Sequence, residues 1–200
     1  MNNKTPSLIL ASSSPFRQSL LKKLGIPFSA HSPEIDESPL ANESAEELVQ
    51  RLAKEKAKEV AKSHSNALII GSDQVAIDSH GNILGKPGNY DNAKKQLLAC
   101  SGTTVTFATG LCLYNSATHK AQVACETFTV HFRKLNDTMI DRYLRTEEPY
   151  QSAGSFKSEG LGIVLFNRLE GRDPNGLVGL PLILLTDFLA NEGIQLPLEP

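Results

Sequence analysis

Cysteine is scarce. Cys100, Cys112 and Cys125 are odd in number and widely spaced, which suggests neither a disulfide framework nor a C-x-x-C redox or metal motif, and fits a reducing compartment. An excess of charge is also missing: 20 Lys and Arg stand against 22 Asp and Glu, a formal net charge of -2. That balance argues against a binder of nucleic-acid polymers, which needs a basic surplus, but leaves room for a small anion held by a local cluster of cations. Long hydrophobic runs are absent at the start of the chain. A polar lead over residues 1–6 gives way only to Leu8, Ile9 and Leu10, too little for a signal-peptide core or a membrane span, so no membrane partner and a cytoplasmic location are expected. The five histidines show no metal-ligand spacing and there is no G-x-S-x-G elbow, so a Ser-His-Asp triad is not indicated.

What remains is an ordinary globular composition, with 40% hydrophobic and 21% charged residues in 200, long enough to bury a sizeable core. No linker or repeat divides it, and a single domain over residues 1–200 is expected. The pattern predicts a short strand over 8–11 and a helix opened by Pro15 and ended near Gly25. Further strands are expected over 28–31 and 67–71. Between them Ser44 and Glu47 form a capping box for a helix running to about Ser63. Asp91 is the expected cap of a helix ending at Gly102, and Asn136 of one reaching about Arg145. Segments 103–114 and 120–132, rich in Thr, Val and Phe, read as a long antiparallel hairpin. A strand over 161–166 and a helix over 181–191 complete an α/β fold of mixed α+β character around a mixed sheet.

Several residues stand out chemically. The run Ser12-Ser13-Ser14-Pro15-Phe16-Arg17 lies between a strand end and a helix N-terminus, where free amides and the helix dipole favour an anion such as a phosphate. A Ser there can equally be a plain helix cap. On the second helix Leu48, Leu52, Lys56 and Val60 share one face, so the Lys56 ammonium falls inside an apolar stripe. It needs a partner or ligand there, unless its stem snorkels to water. Glu34, Asp36 and Glu37 form an acidic stretch that suits Mg²⁺ or is merely solvated surface. Asp73, placed at the end of the strand over 67–71, is the stronger candidate. Gly85-Lys86-Pro87 presents another cation, or is only a turn.

In order along the chain these segments resemble the Maf family of nucleotide pyrophosphatases. The resemblance rests on S-x-S-P-x-R at Ser12 to Arg17, P-x-x-x-E at Pro33 to Glu37, E-K-A at Glu55 to Ala57, S-D at Ser72-Asp73, G-K-P at Gly85 to Pro87 and G-L-P at Gly179 to Pro181. It implies a curved mixed sheet flanked by helices, with two lobes around a cleft as in inosine triphosphate pyrophosphatase, and homodimers are common in the family. It also implies hydrolysis of a nucleoside triphosphate, a small-molecule substrate, to a monophosphate and pyrophosphate with a divalent cation, Mg²⁺ or Mn²⁺. Asp73 matches the family's proton acceptor. Glu34 is similar to an acidic residue that assists with the metal or the water, so Asp73 and Glu34 are the expected metal carboxylates. Ser12, Arg17, Lys56 and Lys86 match phosphate-holding positions.

Phe16, Gln74 and Glu159 look like the family's selectivity positions. The branch acting on dTTP and UTP tends to carry Arg, Thr and Gln there, whereas an aromatic residue, Gln and Glu resemble the 7-methyl-GTP branch. N7 methylation makes guanine cationic, which an aromatic face attracts and a carboxylate pairs with. Competing expectations are a dTTP/UTP pyrophosphatase, a broad enzyme for modified nucleotides, and a noncatalytic nucleotide-binding regulator of cell division.

Overall fold

Apolar and β-branched segments draw the chain into a seven-stranded sheet in the computed structural model, which describes residues 6–198. Most of the expected polar lead, residues 1–5, lies outside the described residues. The strands are β1 (Ser7–Leu10), β2 (Phe28–Ala30), β3 (Ala67–Asp78), β4 (Ile83–Leu84), β5 (Thr104–Asn115), β6 (Lys120–Phe132) and β7 (Phe166–Gly171). Their order is β2-β1-β3-β5-β6-β7, with β4 paired to β3. β1 runs parallel to both β2 and β3, while β3 with β4 and β6 with β7 are antiparallel, so the sheet is mixed, as expected. Six helices accompany it among the described residues: α1 (Pro15–Lys22), α2 (Ala45–Ala61), α3 (Tyr90–Cys100), α4 (Asp137–Glu147), α5 (Pro174–Val178) and α6 (Leu182–Asn191). No described helix is long and apolar enough to cross a membrane.

The chain divides into two compact units. One comprises residues up to Gln74, Thr109–Glu126 and Gly179 onward; the other comprises Val75–Ala108 and Thr127–Val178. In the first, Ile9, Ala11, Ala53, Ala57, Val60, Ala67, Ile69, Cys112 and Tyr114 form a buried cluster beneath α2. The helix begins at the expected capping box: the Glu47 amide donates to Ser44 Oγ and the Ser44 amide to Glu47 Oε2. Two glycines seat it. A Cβ on Gly71 would fall 1.9 Å from the Ala53 carbonyl oxygen, and one on Gly110 would fall 2.1 Å from that of Val49. The absence of those two carbons lets α2 lie directly on β3 and β5, which sets where its inward side chains arrive.

In the second unit, edge-on aromatic pairs link Phe156 to Phe107, Phe132 and Phe166, with ring centroids 5.0 to 5.5 Å apart. Leu97 of α3 and Ile140, Tyr143 and Leu144 of α4 close this core.

Three local expectations are corrected. The apolar run over 161–166 is not a strand but a 3-10 turn, Leu161–Leu165, and the strand follows it. Only Gly162 and Leu165 of that turn are buried, a spacing of three that suits a 3-10 turn and not the alternation of a half-buried strand. Asn89, not Asp91, caps α3 by accepting from the Asn92 amide, leaving Asp91 in the first turn, where the dipole favours it. β3 also runs on to Asp78 because its second half pairs with β4, so Asp73 sits within a strand and not at its end.

Gly71→Ala is expected to destabilise the protein by about 3 kcal/mol, since the clash is with backbone. Ser44→Ala should cost about 1 kcal/mol through the lost cap. Urea unfolding monitored by circular dichroism measures both, and equal losses would contradict the seating described for α2.

Candidate active site

The inward face of α2 carries Leu48, Val49, Leu52, Ala53, Ala57 and Val60, and among them Lys56, only 6% exposed. An ammonium so placed requires compensation, because burying an unpaired charge costs several kcal/mol. It has two partners: Lys56 Nζ lies 2.6 Å from Asp73 Oδ1 and 2.7 Å from Glu37 Oε1. Asp73, 9% exposed, comes from β3 two residues beyond the helix seat at Gly71. Glu37 comes from the connection between β2 and α2, and its side chain is 60% exposed. Two carboxylate oxygens from separate segments thus converge on one cation. Glu34 is exposed, and the carboxylate from its stretch that meets Lys56 belongs to Glu37, the closing residue of P-x-x-x-E.

The segment before α1 supplies the second part. Ser12 is buried, and its Oγ accepts from the Ser14 amide at 3.1 Å; Ser14 Oγ in turn accepts from the Arg17 amide at 3.4 Å. Ser14 is therefore the helix cap, and Ser12 shapes the turn leading into it. The first turn of α1 holds no acidic residue, and it holds Arg17. Arg17 Nε donates to the Gly179 carbonyl at 2.8 Å, and Ser72 Oγ donates to the same oxygen at 2.9 Å. Gly179 has φ +109°, which strains any side chain, and a Cβ there would lie 3.3 Å from Arg17 Nε, so the guanidinium would have to give way slightly. Burial pulls the Arg17 pKa below its ordinary value, while the Asp73 and Glu37 carboxylates oppose that shift. In the first unit Arg17, Glu37, Lys56 and Asp73 thus share a polar neighbourhood with both signs of charge, and Ser12 lies in the turn before the helix that carries Arg17.

Gln74 follows Asp73 and donates from Nε2 to Thr109 Oγ1 at 2.9 Å. Phe16, in the first turn of α1, leaves 46% of its surface exposed. Lys86 and Glu159 belong to the second unit, and both are exposed. The loop of Lys86 is fixed by Gln96 Nε2 donating to the Gly85 carbonyl and Asn92 Nδ2 to that of Pro87, each at 3.1 Å. The loop of Glu159 is anchored by Phe156 in the aromatic core, by the Lys157 amide donating to Tyr143 Oη at 3.1 Å, and by the Leu161 amide donating to Glu147 Oε2 at 2.9 Å.

Sequence reasoning passed over Ser72 and Gly179 as individual residues and did not separate Glu37 from its acidic neighbours. The motif positions were the available signal, since each is a defined letter of S-D, G-L-P or P-x-x-x-E. Thiol chemistry finds no support. Burial pushes Cys100 and Cys125 up to about 11 and Cys112 to about 12, so none is a thiolate near neutral pH. Among the described residues no group of three or more His, Cys, Asp or Glu side chains is arranged to hold a metal ion by itself.

The chain is similar to known proteins over nearly its whole length. The chain is 60% identical over 198 residues to a protein of Alcanivorax borkumensis named 7-methyl-GTP pyrophosphatase, covering 99% of this chain and all of that protein. Proteins of the same name from Pseudomonas aeruginosa and Pseudomonas syringae pv. tomato are 56% and 55% identical over 192 residues, 96% of this chain and the whole of each. The family described as Maf-like protein matches residues 7–192. The chain therefore belongs to the Maf-like protein family.

Proposed function

We propose that the protein is a nucleoside triphosphate pyrophosphatase that hydrolyses 7-methyl-GTP to 7-methyl-GMP and pyrophosphate. The observation that carries this reading is the buried Asp73 carboxylate, held 2.6 Å from Lys56 in the same unit as Arg17. A fixed acceptor for a proton and two cations for an oxyanion are what water attack on a phosphoanhydride requires. The shared name of relatives 55% to 60% identical over nearly the whole chain supports the substrate.

In this mechanism a water molecule loses its proton to Asp73 as its oxygen bonds to phosphorus, and the α–β phosphoanhydride breaks to release pyrophosphate. Lys56 holds Asp73 in place through their 2.6 Å contact and, with Arg17, offsets the negative charge that grows on the phosphate oxygens. Ser12 shapes the turn at the α1 N-terminus, where amides and dipole favour phosphate. Lys86 is assigned to the phosphate tail.

The residues also fit a divalent cation. Asp73 and Glu37 present oxygen donors that already converge on one positive charge, and Mg²⁺ is commonly held by one or two carboxylates, with phosphate oxygens and water completing its shell. Asp73 and Glu37 would hold it, with Glu34 as the other carboxylate of that loop; bound there, the ion neutralises phosphate charge and lowers the pKa of a coordinated water. Selectivity is assigned to Phe16, Gln74 and Glu159. Phe16 offers an uncovered aromatic face of the kind that attracts a cationic ring, and Glu159 an exposed carboxylate able to accept base N–H groups.

Pyrophosphate release across a nucleotide panel with Mg²⁺ or Mn²⁺ should favour 7-methyl-GTP strongly over GTP, dTTP and UTP. Preference for dTTP would overturn the substrate while leaving the reaction, and no release from any nucleotide would favour a binding regulator. Asp73→Asn is expected to lower kcat by at least about 100-fold with the fold retained, and near-wild-type turnover would remove Asp73 as the proton acceptor. Lys56→Met should destabilise the protein by about 3 kcal/mol, because it strands a buried carboxylate; thermal unfolding beside the double variant Lys56→Met with Asp73→Asn checks this, since removing the stranded charge should shrink the loss.

A further inference from the structure

Glu37 reaches Lys56 from an unusual support. Residues 31–44, between β2 and α2, contain no helix or strand, and 14 residues of irregular chain carry a large ordering cost unless tied down. The Glu37 side chain is mostly exposed, so its own packing cannot fix it, and its position on Lys56 depends on the backbone that carries it.

Arg51, one turn and a half before Lys56 on α2, makes the ties. Its Nε and Nη2 grip Glu43 Oε1 and Oε2 at 2.6 and 2.8 Å, a bidentate pair, and Nη2 also donates to the carbonyl of Ser38, next to Glu37, at 3.0 Å. Its Nη1 donates to Glu55 Oε2 at 3.1 Å, which gives the first residue of E-K-A a purpose of its own: it aims the guanidinium. Glu43 is no free surface acid. Only 8% of its side chain is exposed, Oε2 also accepts from the Leu40 amide at 3.0 Å, and these bonds hold its pKa down at about 2. With Glu55 the fork serves four acceptor oxygens on three residues, one more than the three N–H donors of an ammonium can reach.

We propose that Arg51 is a positioning residue of the active site, which acts by fixing the 38–43 backbone to α2 so that Glu37 is presented to Lys56 and Asp73. The catalytic part of this proposal rests on the pyrophosphatase reading of that centre. Arg51 touches neither Lys56 nor Asp73 through any of these bonds, so its effect must pass through Glu37.

The experiment is a cycle of wild type, Arg51→Met, Glu37→Gln and the double variant, with kcat and KM measured on 7-methyl-GTP and amide hydrogen exchange followed over residues 36–43. Arg51→Met should lower kcat by about ten- to a hundredfold, leave KM within about twofold, and add under about twofold when Glu37 is already Gln, because both changes remove one arrangement. Exchange protection should fall in 36–43 and not in β3. Should Arg51→Met prove too unstable to assay, Glu43→Gln, which keeps the shape and weakens the grip, is expected to give the same pattern at smaller amplitude. Equal loss of kcat with and without Glu37, or unchanged exchange in 36–43, would reduce Arg51 to general stabilisation and overturn the proposal. A wild type that cleaves no nucleotide would instead refute the pyrophosphatase reading, and exchange alone would then decide whether Arg51 anchors the loop.

Discussion

A single ammonium group organises the polar half of this protein. Lys56 sits in the apolar face of α2 and is tolerable there only because Asp73 and Glu37 meet it from two other segments. The arrangement constrains the fold as much as the fold constrains it: α2 must lie close enough to β3 for the pair to form, and Gly71 makes that approach feasible by leaving the Ala53 carbonyl room. A buried ion pair of this kind is a poor source of net stability, since desolvation consumes most of the attraction. What it provides is orientation: the Asp73 carboxylate is held against Lys56 and shielded from solvent.

Around that centre the supports fall into two types. Secondary structure holds Lys56 and Asp73, both on long elements packed into a core. Connections hold Ser12 and Glu37, and these need side-chain ties: Ser14 closes the turn before α1, and Arg51 with Glu43 closes the one before α2. In the second unit the same device recurs, with Gln96 and Asn92 fixing the Lys86 loop and Glu147 and Tyr143 fixing that of Glu159. The loops of both units are stiffened by side-chain bonds to neighbouring helices.

Much of this was legible in the residues. The capping box at Ser44 and Glu47 and the helical spacing after it located α2, and the same periodicity exposed Lys56 as a charge on the wrong face. Thr- and Val-rich segments located β5 and β6. The run 161–166 misled because apolarity alone does not distinguish a 3-10 turn from a buried strand; burial at every third residue does, and that is visible only in three dimensions. The strand carrying Asp73 was ended too early for a related reason, since its continuation to Asp78 depends on the pairing with β4. The ties of Arg51 were hidden for another cause. Glu43 and the Ser38 carbonyl lie before α2 in chain without helix or strand, where periodicity says nothing about which residues meet.

The shared carbonyl of Gly179 has a temporal consequence. It accepts from Arg17 and Ser72 across sequence separations of 162 and 107 residues, so during synthesis both donors wait for most of the polypeptide to leave the ribosome. Until that late segment arrives, the guanidinium lacks this acceptor. A chain stopped short of it holds both residues of the α2 capping box, yet it lacks the acceptor to which Arg17 donates.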